Sequence, residues 1–177
     1  MKVLFFTIAL SLFSILHADD FTFSEFKPQE GTYYVKVISV DNKFPEEEIP
    51  KDVSPLTITY LNDRMEARFT MMKMDNKCEE ITMMLENSDE PRRVDMNRYQ
   101  RYTCAIVKTS EKNYWILSCQ NKFHPRRMIE LMGPDTDENP KAMQEFYNFI
   151  HRERVDKSRI IFPRQIGEDF QVKINIV

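Results

Sequence analysis

Gly31-Thr32-Tyr33-Tyr34-Val35-Lys36-Val37-Ile38-Ser39-Val40 is the stretch on which the reading of the fold turns. A glycine opens a run of aromatic and β-branched residues, the composition of a strand. A period of two sets Tyr33, Val35, Val37 and Ser39 on one face and Tyr34, Lys36, Ile38 and Val40 on the other. Neither face is purely polar, so both are expected to touch something. An eight-stranded up-and-down antiparallel barrel, its interior either filled by its own side chains or left open for one small ligand, with a helix on its outer wall, meets that demand.

The residues before this strand set the compartment. Met1-Lys2 gives a short positive start, Val3 to Leu16 is apolar with few breaks, and Ala18 precedes Asp19-Asp20. That is the pattern of a secretory signal peptide over residues 1–18, too short for a comfortable membrane span and followed by acids instead of a stop-transfer signal. The mature chain, 19–177, is then expected to be one secreted, extracellular domain with no membrane span. Losing residues 1–18 removes one lysine and no acid, leaving 24 basic side chains against 28 acidic ones, with both signs interspersed. Such a surface offers nucleic acid little to hold. Three cysteines are too few for a disulfide scaffold, so a hydrophobic core has to carry stability. Eleven methionines supply soft, adaptable apolar side chains.

Beyond the first strand, Asp41 to Asp52 is acidic, bracketed by prolines and read as a loop, in which Phe44 is either a lid over a cavity or an ordinary anchor. Leu56–Tyr60 and Met65–Met71 alternate around the turn Leu61–Arg64, forming a hairpin with Leu56, Ile58, Tyr60, Met65, Ala67, Phe69 and Met71 on a shared face. Cys78–Leu85 follows, with Ile81, Met83 and Leu85 together. Arg92–Tyr99 reads as a weak strand, Tyr102–Lys108 and Tyr114–Gln120 as a strong hairpin, and Arg127–Met132 as the last of eight. The period then changes. Asn139-Pro140 is a cap followed by proline at the first helical position, and Met143, Phe146, Tyr147, Phe149 and Ile150 recur at helical spacing. One C-terminal α-helix packed outside the barrel is expected, then a short extended return at Arg159–Phe162. Phe170–Val177 is either an added edge strand or a frayed tail.

A secretory leader, eight meandering strands, one late helix and an N-terminal Gly-x-aromatic strand together resemble the lipocalins. Collinear motifs carry the likeness over residues 28–168: Gly31–Lys36, Phe44-Pro45, Val53–Thr57, Glu66-Ala67, Cys78, Ser88–Pro91, Tyr114–Cys119, Leu131–Gly133 and Ile160–Gln165. They are similar to the tear and odorant-binding lipocalins, with the marsupial late-lactation whey lipocalins in the same neighbourhood. The resemblance implies a calyx that carries one small hydrophobic molecule, such as an odorant, pheromone, phenol or lipid. Protease inhibition or another protective role in milk or a glandular secretion is the alternative.

Three departures stand out against that family. Tyr33 replaces the signature tryptophan, and Pro134 replaces the arginine that packs over it, so the floor must close by other means, with the Tyr33 hydroxyl bonded to backbone. Asp169 occupies the place of the C-terminal cysteine that relatives join to the residue matching Cys78. Pairing about a Glu111-Lys112 turn sets Cys104 opposite Cys119, which permits a cross-strand disulfide and leaves Cys78 free; another loop length would put them on opposite faces.

The expected ligand-binding residues are Val35, Val37, Leu56, Ile58, Tyr60, Ala67, Phe69, Met71, Ile81, Met83 and Leu117 along the walls, with Phe44 and Phe123 at the mouth. Glu130 shares a strand face with Met128 and Met132. If that face is the inner one, its carboxyl meets the guest and favours a hydroxyl; otherwise it is a solvated surface acid. No metal or cofactor is expected. His124 and His151 are the only histidines after the leader, and a serine elbow, paired metal ligands and a phosphate loop are missing, so the chain is read as a binding protein and not an enzyme. A free Cys104 or Cys119 facing inward would reopen thiol chemistry. A homodimer and a cell-surface receptor stay open as partners.

Overall fold

The computed structural model describes residues 26–62, 64–74, 76–87, 94–96, 102–124, 126–155 and 159–167. The expected leader and the tail at 170–177 lie outside them. Eleven strands and one α-helix are found among the described residues: β1 (Gly31–Val40), β2 (Pro50–Val53), β3 (Leu56–Leu61), β4 (Arg64–Lys73), β5 (Cys78–Asn87), β6 (Val94–Met96), β7 (Tyr102–Lys108), β8 (Trp115–Asn121), β9 (Arg127–Gly133), α1 (Pro140–Arg152), β10 (Ile160–Ile161) and β11 (Arg164–Gln165).

From β3 to β9 each strand pairs antiparallel with the next, and β9 pairs with β1. The first residues of β1 also pair with β3, Gly31 opposite Ile58 and Tyr33 opposite Leu56, so the ladder returns to its starting strand. These are the eight expected strands. The hairpins reverse through asparagines, since Asn62, Asn76 and Asn113 take φ of 51°, 63° and 64°, the left-handed region that Asn tolerates better than most residues. A chain with three glycines can therefore still make tight turns.

Two expectations need correction. The segment read as a loop to Asp52 ends in β2, which pairs antiparallel with β4 and parallel with β11, and Asp52 is buried. An ion pair explains an acid there: the Arg164 guanidinium donates to Asp52 Oδ1 at 2.7 Å. The second correction is in β1, where the register slips between Val35, opposite Met132, and Val37, opposite Leu131. This β-bulge reverses the alternation from Val37 onward.

The core consequently divides into two clusters, one on each side of the β1–β9–β8 wall. The outer cluster joins Val37, Ile116, Ile129 and Leu131 to Ala142, Phe146, Phe149 and Ile150 of α1. The Asn139 side chain caps this helix, accepting from the amides of Lys141 and Ala142 at 3.1 Å, and Pro140 follows it as expected. Burying Phe146, Phe149 and Ile150 is worth about 1.5–3 kcal/mol each, which seats the helix on the wall. The other cluster lines the inner faces of the strands.

Candidate functional site: the apolar calyx

Register places the inward residues of β1, β9 and β8 in three tiers. Val40, Met128 and Cys119 form one, Ile38, Glu130 and Leu117 the next, and Val35, Met132 and Trp115 the third. Leu56 and Ile58 of β3, Met65 and Ala67 of β4, and Met83 and Leu85 of β5 join the same cluster. Tyr60, Phe69, Met71, Ile81, Tyr102, Ile106 and Met128 pack against it but stay only partly buried. These inward apolar side chains are the ones that the rest of the cluster leaves partly exposed.

The end where β1 begins is sealed. Tyr33 meets the Trp115 ring edge-on, with centroids 5.6 Å apart, a geometry the aromatic quadrupoles favour. Its hydroxyl donates to the Gln29 carbonyl at 3.1 Å, and the Tyr60 hydroxyl donates to that of Pro28 at 2.8 Å. The segment before β1 is thereby strapped across the floor, and the backbone bond expected for Tyr33 is present. Burial pushes both phenols up, Tyr60 to about 12 with help from Tyr33 and Glu30. Both stay neutral donors through any physiological pH.

The opposite end carries the loops. Asp41 fastens β1 to β9 there, its Oδ2 accepting the Arg127 amide at 2.7 Å and its Oδ1 the Lys43 amide at 3.0 Å. Phe44 leaves this junction and turns into the calyx cluster, only 7% exposed, while Phe123, on the β8–β9 connection, is 72% exposed. Phe44 is thus packed in the cluster, as a lid or an anchor would be, and Phe123 projects from the loop end. Cys104 and Cys119 lie opposite one another and are joined, with Cα atoms 4.1 Å apart, and Cys78 is free. The inward thiols that would have reopened nucleophilic chemistry are thus consumed.

Of the expected wall residues, Val35, Leu56, Ile58, Ala67, Met83 and Leu117 are buried in the calyx cluster, and Tyr60, Phe69, Met71 and Ile81 border it. Val37 does not belong. The bulge turns it to the helix side and sends Ile38 inward in its place. Sequence reading also missed Trp115 and Met132. Their alternation with Leu117 and Glu130 was visible, but the direction of the face was not.

Glu130 faces inward, with Ile129 and Leu131 under the helix. It is 5% exposed, its cross-strand neighbours are Ile38 and Leu117, and among the described residues it has no hydrogen-bond or ion-pair partner. Burial alone pushes its carboxyl up to about 7. One tier away the Trp115 indole N–H is buried and also unpartnered. Two polar groups without partners thus border an otherwise oily space.

A hollow of about 370 Å³ lies outside the barrel between Lys36, Tyr114, the start of α1 and residues Phe162–Gln165. Its walls are more mixed and include the Lys36 ammonium, which donates to the carbonyls of Asp135 and Asp137. At its edge the Gln165 amide nitrogen donates to the Val35 carbonyl at 2.8 Å, while Gln165 Oε1 is buried without a partner. No group of His, Cys, Asp and Glu able to hold a metal occurs among the described residues.

Comparison with known proteins agrees with this architecture. Residues 30–167 match the lipocalin / cytosolic fatty-acid binding protein family. The late lactation protein of Trichosurus vulpecula is 66% identical over 168 residues, covering 93% of this chain and 95% of that one. Odorant-binding protein 2a of Mus musculus is 27% identical over 172 residues, covering 95% and 97%. Among solved structures, that of the siderocalin Ex-FABP, described as functioning through dual ligand specificities, superposes with a TM-score of 0.64 over 80% of this chain and 93% of its own, at 15% identity.

Proposed function

The chain belongs to the lipocalin / cytosolic fatty-acid binding protein family, and we propose on that premise that it is a secreted carrier which holds one small hydrophobic molecule inside the calyx. The observation that carries this reading is the ring of inward apolar side chains, drawn from both halves of the barrel, of which Phe69, Met71, Ile81, Ile106 and Met128 remain partly accessible. Removing apolar surface from water yields about 25 cal/mol per Å², enough for micromolar binding of a modest guest after the cost of association. Methionines at positions 71, 83 and 128 can reshape around different guests, which favours breadth. The relative named as an odorant-binding protein points the same way.

Secretion rests on the leader at 1–18 and on the homologous late lactation protein. Protein recovered from the medium of expressing cells should begin at Asp19. The carrier role is tested by titrating purified protein with the neutral dye N-phenyl-1-naphthylamine. Saturable fluorescence enhancement at one dye per chain, accompanied by a change in Trp115 emission, is expected. A linear, unsaturable response would remove the carrier reading.

A further inference from the structure

The calyx contains one acid that nothing among the described residues answers. Glu130 sits in the middle tier, with Met128 and Met132 on its own strand, Ile38 on β1 and Leu117 on β8 as its inward neighbours. None carries a charge. Inward positions elsewhere add the phenols of Tyr33, Tyr60 and Tyr102; the first two hydroxyls are engaged on the floor. Lys73 and Glu79 pair with each other at 2.6 Å at the loop end, and the Lys108 ammonium lies over the Phe26 ring at the floor. No described cation therefore faces the Glu130 carboxyl. An unpaired buried polar group is costly, more so when charged, and persists where a ligand can complete it. The unpartnered Trp115 indole belongs to Met132's cross-strand pair, diagonal to Glu130, which puts the two residues on the order of 7–8 Å apart.

We propose that Glu130 is the polar anchor of the calyx, selecting guests that combine a compact apolar body with a hydroxyl able to donate to its carboxyl. This rests on the carrier reading and adds the chemical class of the guest. It also gives the selectivity a pH dependence. A guest without a donor covers the carboxyl and leaves it unsolvated, which is tolerable while the acid is neutral and costly once it ionises near pH 7. A hydroxylated guest supplies a charge-assisted bond to the ionised form and escapes most of that cost. Discrimination between the two should widen as pH rises, with Trp115 offering its N–H to the same hydroxyl oxygen or to a neighbouring acceptor.

The test uses thymol and p-cymene, which share a carbon skeleton and differ by one phenolic hydroxyl, as competitors against bound N-phenyl-1-naphthylamine at pH 5.5, 6.5, 7.5 and 8.5. In the native protein thymol should displace dye more strongly at every pH, with the ratio of the two affinities growing at least fivefold across the range. Glu130→Gln should keep a preference for thymol that no longer varies with pH, and Glu130→Leu should bring the ratio close to one. Thymol and p-cymene displacing dye equally, or at a ratio flat in pH in the native protein, would overturn the anchor while leaving the carrier intact. Failure of the dye to bind at all would instead remove the carrier reading and the anchor with it. The native pH profile decides the matter even if both variants misfold.

Discussion

Glu130→Gln should abolish one component of the pH dependence of stability, and its size follows from the burial of this carboxyl. In an unfolded chain the group titrates at 4.5; in the calyx, burial pushes it up to about 7. Below pH 4.5 the acid is neutral in both states and costs nothing extra. Between 4.5 and 7 the folded protein binds a proton that the unfolded chain releases, so this stabilising contribution is lost as pH rises and is gone above the folded value. At about 1.4 kcal/mol per pH unit, the difference approaches about 3 kcal/mol at pH 8. Glutamine has the same shape and does not titrate. Urea unfolding of both proteins at pH 5, 6, 7 and 8, with the disulfide kept intact, should show the variant gaining on the native protein step by step, until its midpoint is about 1–2 M urea higher relative to the pH 5 comparison. Any fixed cost of the amide enters as an offset, and the slope is the readout. A difference between the two unfolding free energies that stays constant from pH 5 to 8 would refute the claim that Glu130 is buried without a partner.

Removing the disulfide with Cys104→Ala and Cys119→Ala together frees a sequence separation of 15 residues in the unfolded chain, which should cost about 3 kcal/mol and lower Tm by about 6–12 °C in a calorimetric scan. Gly133→Ala should cost about 1–3 kcal/mol in denaturant unfolding, because a Cβ there would stand 2.6 Å from Tyr114 Cε1 and 3.1 Å from Lys36 Cδ. Asn139→Ala takes away the acceptor for the Lys141 and Ala142 amides and should lower stability by about 1 kcal/mol, with hydrogen exchange accelerated in the first turn of α1 before anywhere else.

What could be read from the sequence was whatever depends on local chemistry. The eight strands of the barrel showed in their alternation, the helix start in Asn139-Pro140, and the reversals in their asparagines. The pairing of Cys104 with Cys119 hung on the length of one turn, which the sequence left open and the register of β7 and β8 decides. Strand β2 was hidden because Pro50, Lys51 and Asp52 look like loop, and only a distant Arg164 makes a buried Asp52 tolerable. The orientation of Glu130 was undecidable for a similar reason. Both faces of β9 are apolar, since one meets the calyx and the other α1, and no period of two distinguishes an inside from a second inside.

The bulge in β1 determines which of those two sides the polar chemistry occupies. Without it, unbroken alternation would turn Ser39 into the calyx, opposite Met128 and diagonal to Glu130, where a hydroxyl could donate to the carboxyl. With it, Ser39 lies on the helix side, and Ile38 and Val40 take the inward places. Such a slip needs its backbone and its extra side chain accommodated, and the groups that do so are far away in sequence. The Gln165 amide donates to the Val35 carbonyl at 2.8 Å, and Lys36 reaches the carbonyls of Asp135 and Asp137 beyond the end of β9. The cost to Lys36 shows in its pKa, which burial lowers against the pull of Asp135. Groups outside the barrel thus hold a register that keeps the Ser39 hydroxyl off the inner face of β1. That leaves Glu130 without a donor among the described residues, and a donor is what the proposed guest would bring.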